Sequence, residues 1–264
     1  MDDRGYELAI IGGGNMGAAL LGGLVDSGVF VESDLCVVEL DDGRRAQLTP
    51  LFSSIAVEAT IPPCAGAVLA VKPDGIPAAA AAAAAAGAKR IVSIAAGVRL
   101  ATIEAAAGTG VAVVRAMPNT PALVRLGACA IAAGTAADVD DVAWARGILQ
   151  AVGTVDEVDE AALDAFTGVA GSGPAYVFLV AEALIDAAVG EGLDRAMAER
   201  VVRQLLLGSA TLLDRDGDPT RLREMVTSPN GTTAAGLAEL EERDLRGAVA
   251  AAVGAATRRS RELG

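Results

Sequence analysis

Leu8-Ala9-Ile10-Ile11-Gly12-Gly13-Gly14-Asn15-Met16-Gly17-Ala18-Ala19-Leu20 is the stretch from which the rest of the chain is read. The apolar residues Leu8 to Ile11 predict a short buried strand. Gly12, Gly14 and Gly17 fill the glycine positions of G-x-G-x-x-G, and a helix-compatible run follows. Each glycine has a separate task in a dinucleotide site. The first makes the tight turn, the second admits a pyrophosphate, and the third lets helix and strand approach closely. The new helix offers unpaired N–H groups and its positive dipole end to phosphate. The pattern alone is common, but here it follows a strand and opens a helix, which is the context that a dinucleotide site requires.

Composition limits what else the protein can be. A chain of 264 residues is long enough for one large or two modest domains. Its apolar fraction is 53%, yet it has only one Trp, two Tyr and four Phe, so packing rests on aliphatic side chains and alanine. A net charge of −13 argues against a nucleic-acid partner and means that an anionic ligand needs local donors. Cys36, Cys64 and Cys129 form no C-x-x-C pattern and read as reduced, buried thiols of a cytoplasmic protein. Met1 to Gly5 is acidic and polar and does not resemble a signal sequence. The apolar tract Ala65–Ala86 is interrupted by Lys72, Pro73 and Asp74, so no membrane span is expected there.

Histidine is absent. This removes the usual proton shuttle near neutral pH and the dehydrogenase chemistry that relies on an imidazole base. No acidic cluster has a metal-ligand spacing, so no metal is expected. The chemistry expected is one that proceeds without strong general-base help.

The pattern changes at about Val158. Before it, the β-branched runs Leu35–Glu39, Val68–Val71, Arg90–Ile94, Val111–Arg115 and Ala128–Ala133 alternate with helical segments. That is the signature of βαβ units on a parallel sheet. The Ala78–Ala86 run reads as a surface crossover helix. After Val158, the segments Ala161–Gly192, Arg195–Asp214, Thr220–Val226 and Glu239–Leu263 are helical, with turns at residues 216–219 and 228–231. The expected organisation is a Rossmann-like α/β domain over residues 1–158 and an all-helical domain over residues 159–264. The helix around Ala170–Ala188 has almost no polar face and must be buried, either centrally in its own domain or against a second copy of the chain.

Three further motifs end predicted strands at the sheet edge where open α/β folds bind ligands. They are Ala70-Val71-Lys72-Pro73, Ser93-Ile94-Ala95-Ala96-Gly97-Val98 and Arg115-Ala116-Met117-Pro118-Asn119-Thr120-Pro121. Small residues in the second allow a flat ring to approach, and Asn119 in the third can both donate and accept. Each is also compatible with an ordinary βα turn. Gly171-Ser172-Gly173-Pro174-Ala175-Tyr176 and Thr227-Ser228-Pro229-Asn230-Gly231-Thr232-Thr233 place hydroxyls and backbone N–H groups at helix starts. Such starts bind carboxylates, or simply cap the helix.

In order and spacing, G-G-G-N-M-G at 12–17, A-V-K-P at 70–73, I-A-A-G-V at 94–98, M-P-N-T-P at 117–121, G-S-G-P-A-Y at 171–176 and S-P-N-G-T-T at 228–233 resemble the pyrroline-5-carboxylate reductases. The resemblance covers essentially the whole chain. It implies reduction of 1-pyrroline-5-carboxylate to L-proline by NADPH or NADH, and a homodimer or larger assembly built on interlocked helical domains. It places Met117, Pro118 and Asn119 near the nicotinamide, with Gly12, Gly14, Asn15, Met16, Gly17, Glu39, Ala70 to Pro73 and Ala95 to Gly97 completing the cofactor site. It places Ser172, Gly173, Ser228, Asn230, Gly231, Thr232 and Thr233 around the substrate, the 228–233 turn holding its carboxylate and facing the partner's nicotinamide. No single catalytic acid is identified.

The chain departs from the family pattern in three places. Ala170 stands where a Ser usually precedes G-S-G-P, and Asn230 replaces a glycine. Asn tolerates the left-handed backbone better than most residues. The segment Val57–Leu69 is short, so the helix between the third and fourth strands is trimmed and an Asn common there is missing. Glu39 closes the second strand, where an acid accepts from a free ribose 2′-hydroxyl. Arg44 and Arg45 follow within a turn, so the lean toward NADH is slight. The competing readings are another imine reductase, a β-hydroxyacid dehydrogenase and a dinucleotide-sensing scaffold. The dehydrogenase needs a lysine in the helical domain, whereas Lys72 and Lys89 both lie in the first half.

Overall fold

The structure is a computed structural model that describes residues 5–264, so most of the Met1–Gly5 stretch lies outside the described residues. By contact density the chain forms two compact units. One comprises the described residues up to 172 with residues 254–264, and the other residues 173–253. The change of pattern at Val158 therefore precedes the unit boundary. The sheet ends there, but the helical residues that follow still pack on it, with Leu163 fully inside the sheet core.

In the first unit, β1 (Tyr6–Ile11), α1 (Asn15–Ser27), β2 (Leu35–Val38), α2 (Asp42–Leu51) and β3 (Ala56–Glu58) form the opening βαβαβ run. It continues through β4 (Cys64–Leu69), α3 (Ile76–Ala85), β5 (Arg90–Ser93), α4 (Leu100–Ala107), β6 (Ala112–Met117), β7 (Gly127–Ala133), α5 (Val139–Gln150) and β8 (Gly153–Glu157). The strand order is β3-β2-β1-β4-β5-β6-β7-β8. Every pairing is parallel except β6 with β7, so the expected parallel sheet carries one reversal. Hydrophobic periodicity reports that a strand is buried but not its direction. The tract Ala65–Ala86 resolves into β4, a short turn and α3.

Both faces of the sheet are covered, which is why its strands read as continuous apolar runs. Along β1, Leu8 and Ile10 enter one core with Leu20, Leu24 and Val37, whereas Ala9 and Ile11 enter the other with Val38, Leu69 and Ile103. Between β3 and β4 only residues 59–63 intervene, with no helix. After β8, residues Leu163–Phe166 form α6, and Thr167–Gly171 widen into one π-helical turn.

In the second unit, α7 (Gly173–Gly190) and α8 (Arg195–Asp216) pack together, followed by α9 (Pro219–Met225), α10 (Thr232–Glu242) and α11 (Leu245–Leu263), whose last residues belong to the first unit. Asp194 and Asp218 cap α8 and α9 with their side chains. The single helix expected over Glu239–Leu263 is two, α10 and α11, broken at Asp244 with φ +53°. Neither Gly nor Pro marks that break. The two ways of burying α7 left open by its sequence separate here. Val177, Phe178, Leu179 and Val180 are 50–64% exposed, so this helix is not central to its own unit.

Candidate cofactor and substrate site

The glycine turn is shaped by what the three glycines touch. A Cβ on Gly12, which has φ +109°, would lie 2.6 Å from the Ala70 carbonyl oxygen. A Cβ on Gly17 would lie 1.9 Å from the Gly12 oxygen. A Cβ on Gly14 would meet nothing within 4 Å beyond the adjoining chain. The first and third glycines thus permit the chain to close, and the second leaves room beside the turn. Gly14 is also the N-cap of α1 and supplies no side chain to occupy the first-turn N–H groups. A cavity of about 1040 Å³ opens here, lined by Gly12, Gly14, Glu39, Val71, Lys72 and the alanine face of α3, among others. An uncapped helix start next to an open cavity fits the diphosphate of a dinucleotide.

Glu39 lies at this cavity, immediately after β2. One carboxylate oxygen accepts from Gly13 N–H at 3.0 Å and the other from Asp41 N–H at 3.0 Å. Arg44 donates through Nε to the Gly13 carbonyl at 2.7 Å. The middle peptide of the turn is therefore held on both sides, and each oxygen of Glu39 keeps a lone pair for a ligand hydroxyl.

Beyond β5, Ala95 to Gly97 lie in the turn before α4; Met117 ends β6, and Pro118 and Asn119 lead into a short 3₁₀ helix. Asn119 is 9% exposed. Its side chain donates to the Ala170 carbonyl at 3.0 Å and accepts from Ala128 N–H at 2.9 Å. The donor and acceptor capacity read from the sequence is thus engaged within the protein. Ser93, at the end of β5, is fully buried with no partner for its hydroxyl among the described residues. Ser172 does not present a free N–H, because that group donates to Thr167 O across the π-turn at 2.9 Å.

Residues 227–233 behave differently. Gly231 N–H closes a turn on Ser228 O at 3.0 Å, Asn230 takes the left-handed conformation at φ +57°, and α10 begins at Thr232. Gly231 is the N-cap and brings no side-chain acceptor, so the first turn of α10 has no side-chain cap. Of the residues expected to bind cofactor, Gly12, Gly14, Glu39, Ala70, Val71 and Lys72 line one cavity, and the Ser228–Thr233 group lies at one helix start in the other unit.

All three cysteines are buried, which disfavours the thiolate that a nucleophile needs. Burial pushes the Cys36 thiol up to about 12, helped by the neighbouring Cys64 and Glu58, and pushes Cys129 up to about 12. Among the described residues no group of three or more Cys, Asp or Glu is arranged to hold a metal. Glu160 and Asp164 escaped the sequence reading. The available signal was Arg115 in the middle of an apolar strand, since a buried guanidinium requires an anion nearby.

The fold and the glycine-turn cavity define the chain as a dinucleotide-dependent oxidoreductase of Rossmann type. Residues 160–263 match the family described as pyrroline-5-carboxylate reductase dimerisation, and residues 7–97 match NADP oxidoreductase, coenzyme F420-dependent. The chain is 43% identical to a pyrroline-5-carboxylate reductase of Synechocystis sp. over 98% of both chains. Its structure is similar to a pyrroline-5-carboxylate reductase of Coxiella burnetii, with TM-score 0.90, 32% identity and 99% coverage of both chains. It is also similar to the Plasmodium falciparum pyrroline carboxylate reductase with NADP bound, with TM-score 0.84, 29% identity and coverage of 98% and 100%. The chain belongs to the pyrroline-5-carboxylate reductase family.

Proposed function

We propose that this protein reduces 1-pyrroline-5-carboxylate to L-proline, the last step of proline biosynthesis, using a reduced nicotinamide dinucleotide. The observation that carries this reading is the full-length likeness to pyrroline-5-carboxylate reductases, with the substrate-side and cofactor-side motifs in order and departures only at Ala170, Asn230 and the short segment Val57–Leu69. When bound, the reduced nicotinamide supplies a hydride equivalent. The protonated cyclic imine is already electrophilic, so the chain need not remove an alcohol proton, and a histidine-free site is chemically sufficient. What remains for the protein is to orient the rings and keep water away.

In this reading Gly12 to Gly17 and the start of α1 hold the pyrophosphate, while Ala70 to Pro73, Ala95 to Gly97 and Met117 to Asn119 form the nicotinamide side. Ser172 and Gly173 shape the substrate pocket. Ser228, Asn230, Gly231, Thr232 and Thr233 receive the substrate carboxylate with hydroxyls and uncapped N–H groups. Glu39 accepts from the ribose hydroxyls and repels a 2′-phosphate, which favours NADH over NADPH; Arg44 beside Gly13 works against that preference and keeps it small.

The exposed apolar face of α7 supports a homodimer in which a second copy covers it. Residues 160–190 are long and apolar enough to cross a membrane by length and composition alone. The match of the same region to a dimerisation family favours a protein partner over lipid. The three buried, unpaired thiols accord with a cytoplasmic enzyme.

The test is a spectrophotometric assay with pyrroline-5-carboxylate and each reduced dinucleotide, run beside a Thr232→Ala, Thr233→Val double variant. Loss of two hydroxyls that bind an anion costs about 1–3 kcal/mol each. The substrate KM should therefore rise at least several-fold, while cofactor Kd stays put. A wild-type protein inactive with both cofactors overturns the assignment, and an unchanged substrate KM shows that the turn only starts a helix.

A further inference from the structure

The two loops assigned to the nicotinamide share one support, the helical segment Glu160–Ala170. The Glu160 carboxylate accepts Leu100 N–H at 2.7 Å and Arg115 Nη1 at 2.9 Å through the same oxygen, Oε1. Leu100 opens α4, three residues after Gly97. Arg115 lies in β6, two residues before Met117, with its side chain 4% exposed. One turn along the same helical face, buried Asp164 accepts from Ser260 Oγ at 2.7 Å and faces Arg99 Nη2 at 3.6 Å. Further on, Ala170 O receives the Asn119 side chain. A single segment therefore holds Arg99 and Leu100 where the loop after β5 enters α4, Arg115 near the end of β6, and Asn119 in the loop that follows β6.

A buried guanidinium paired with a carboxylate is a poor way to gain stability, because desolvation offsets most of the attraction and an apolar pair usually serves as well. What the pair provides here is fixed geometry, since one carboxylate oxygen bonded at once to Leu100 N–H and Arg115 Nη1 holds those two donors at a set separation. Here the geometry fixed is the separation of the two loops. We propose that Glu160 is a positioning residue, whose carboxylate ties the start of α4 to Arg115 and so sets the gap in which the nicotinamide lies. This rests on the assignment of those loops given above.

The test separates the nicotinamide end of the cofactor from the rest. For each variant one measures kcat, Tm and two dissociation constants, one for the reduced dinucleotide and one for ADP-ribose, which lacks the nicotinamide. Glu160→Ala should leave ADP-ribose affinity intact, bring dinucleotide affinity down toward it, and lower kcat on the order of 10- to 100-fold through misplacement. Glu160→Gln keeps an acceptor at the same place and should restore most of kcat. Because Glu160→Ala leaves Arg115 unpaired and can unfold, the deciding variant is Glu160→Leu with Arg115→Met, which removes both charges and keeps bulk. The proposal expects that variant to melt near the wild-type temperature yet lose kcat and nicotinamide affinity. Wild-type kcat and an unchanged ratio of the two dissociation constants in that folded variant overturn the proposal. A wild-type protein that binds ADP-ribose as tightly as the dinucleotide, or does not reduce the imine, instead overturns the assignment of the loops.

Discussion

The sheet unit and the helical unit treat their apolar residues in opposite ways. In the first, side chains from β1, β2, β4, β5 and β6 fill two cores and are almost wholly shielded. In residues 173–253 only Ala198 and Val202 are buried hydrophobics, while Phe178 and Leu179 stand 62% and 64% exposed. One unit satisfies its hydrophobic pattern within a single chain; the other leaves an apolar pattern exposed on it. An apolar helix therefore says that a face will be covered, and leaves open whether the same chain covers it.

The comparison breaks most visibly if the open face is charged. Leu179→Glu should give a folded monomer, because an unpaired charge at a dry interface costs about 3–5 kcal/mol, and sedimentation velocity across protein concentrations reads the shift. A Leu179→Glu protein that associates like wild type would move the interface elsewhere. The sheet unit responds differently to its glycines. Gly14→Val should weaken dinucleotide affinity roughly 100-fold by overfilling the open side of the turn, with Tm hardly changed. Gly17→Ala should instead lower Tm sharply, since its Cβ meets the Gly12 oxygen. Titration by nucleotide fluorescence and a thermal melt distinguish the two.

Alkaline pH should also select the sheet unit, where all three cysteines lie. The folded thiols of Cys36 and Cys129 have pKa values raised from 9.0 to about 12, so the folded state holds their protons longer than the unfolded chain. The stabilisation is complete below pH 9 and is lost as pH climbs toward 12, at about 1.4 kcal/mol per pH unit for each thiol. Denaturant midpoints measured from pH 8 to 10.5 should fall, and Cys129→Ala should flatten the slope. The smallest effect is expected at Glu39. Glu39→Gln keeps an acceptor for one of the two N–H groups and removes a charge, so the ratio of kcat/KM for NADPH over NADH should rise by about 1 kcal/mol equivalent. An unmoved ratio would mean that Glu39 serves the glycine turn alone.

Much of the sheet unit was legible because its signals are local. The glycine turn, the apolar runs of β1, β2, β4, β5, β6 and β7, and the turn at Ser228–Gly231 each occupy a few consecutive residues with distinctive chemistry. Two strands were missed. β3 is only Ala-Val-Glu, and β8 reads Gly-Thr-Val-Asp-Glu, acidic and mostly exposed at the sheet edge, so neither makes an apolar run. The reversal at β7 was invisible because alternation carries no direction. Glu160 and Asp164 were missed because their partners Arg115 and Ser260 lie 45 and 96 residues away along the chain. The widened turn at Thr167–Gly171 has no sequence punctuation beyond two glycines.

Asn230 makes one stretch of this molecule a timepiece. It is exposed, left-handed and followed by glycine, and an Asn–Gly pair is the dipeptide most prone to lose ammonia through attack of the following backbone nitrogen. The bond from Gly231 N–H to Ser228 O restrains that nitrogen and slows the reaction while the turn is closed. Opening of the turn would lift the restraint, and the product would be a carboxylate set among the groups proposed to receive an anion. Ageing would then appear as a mass gain at one peptide and a rising substrate requirement, well before the fold itself shows wear.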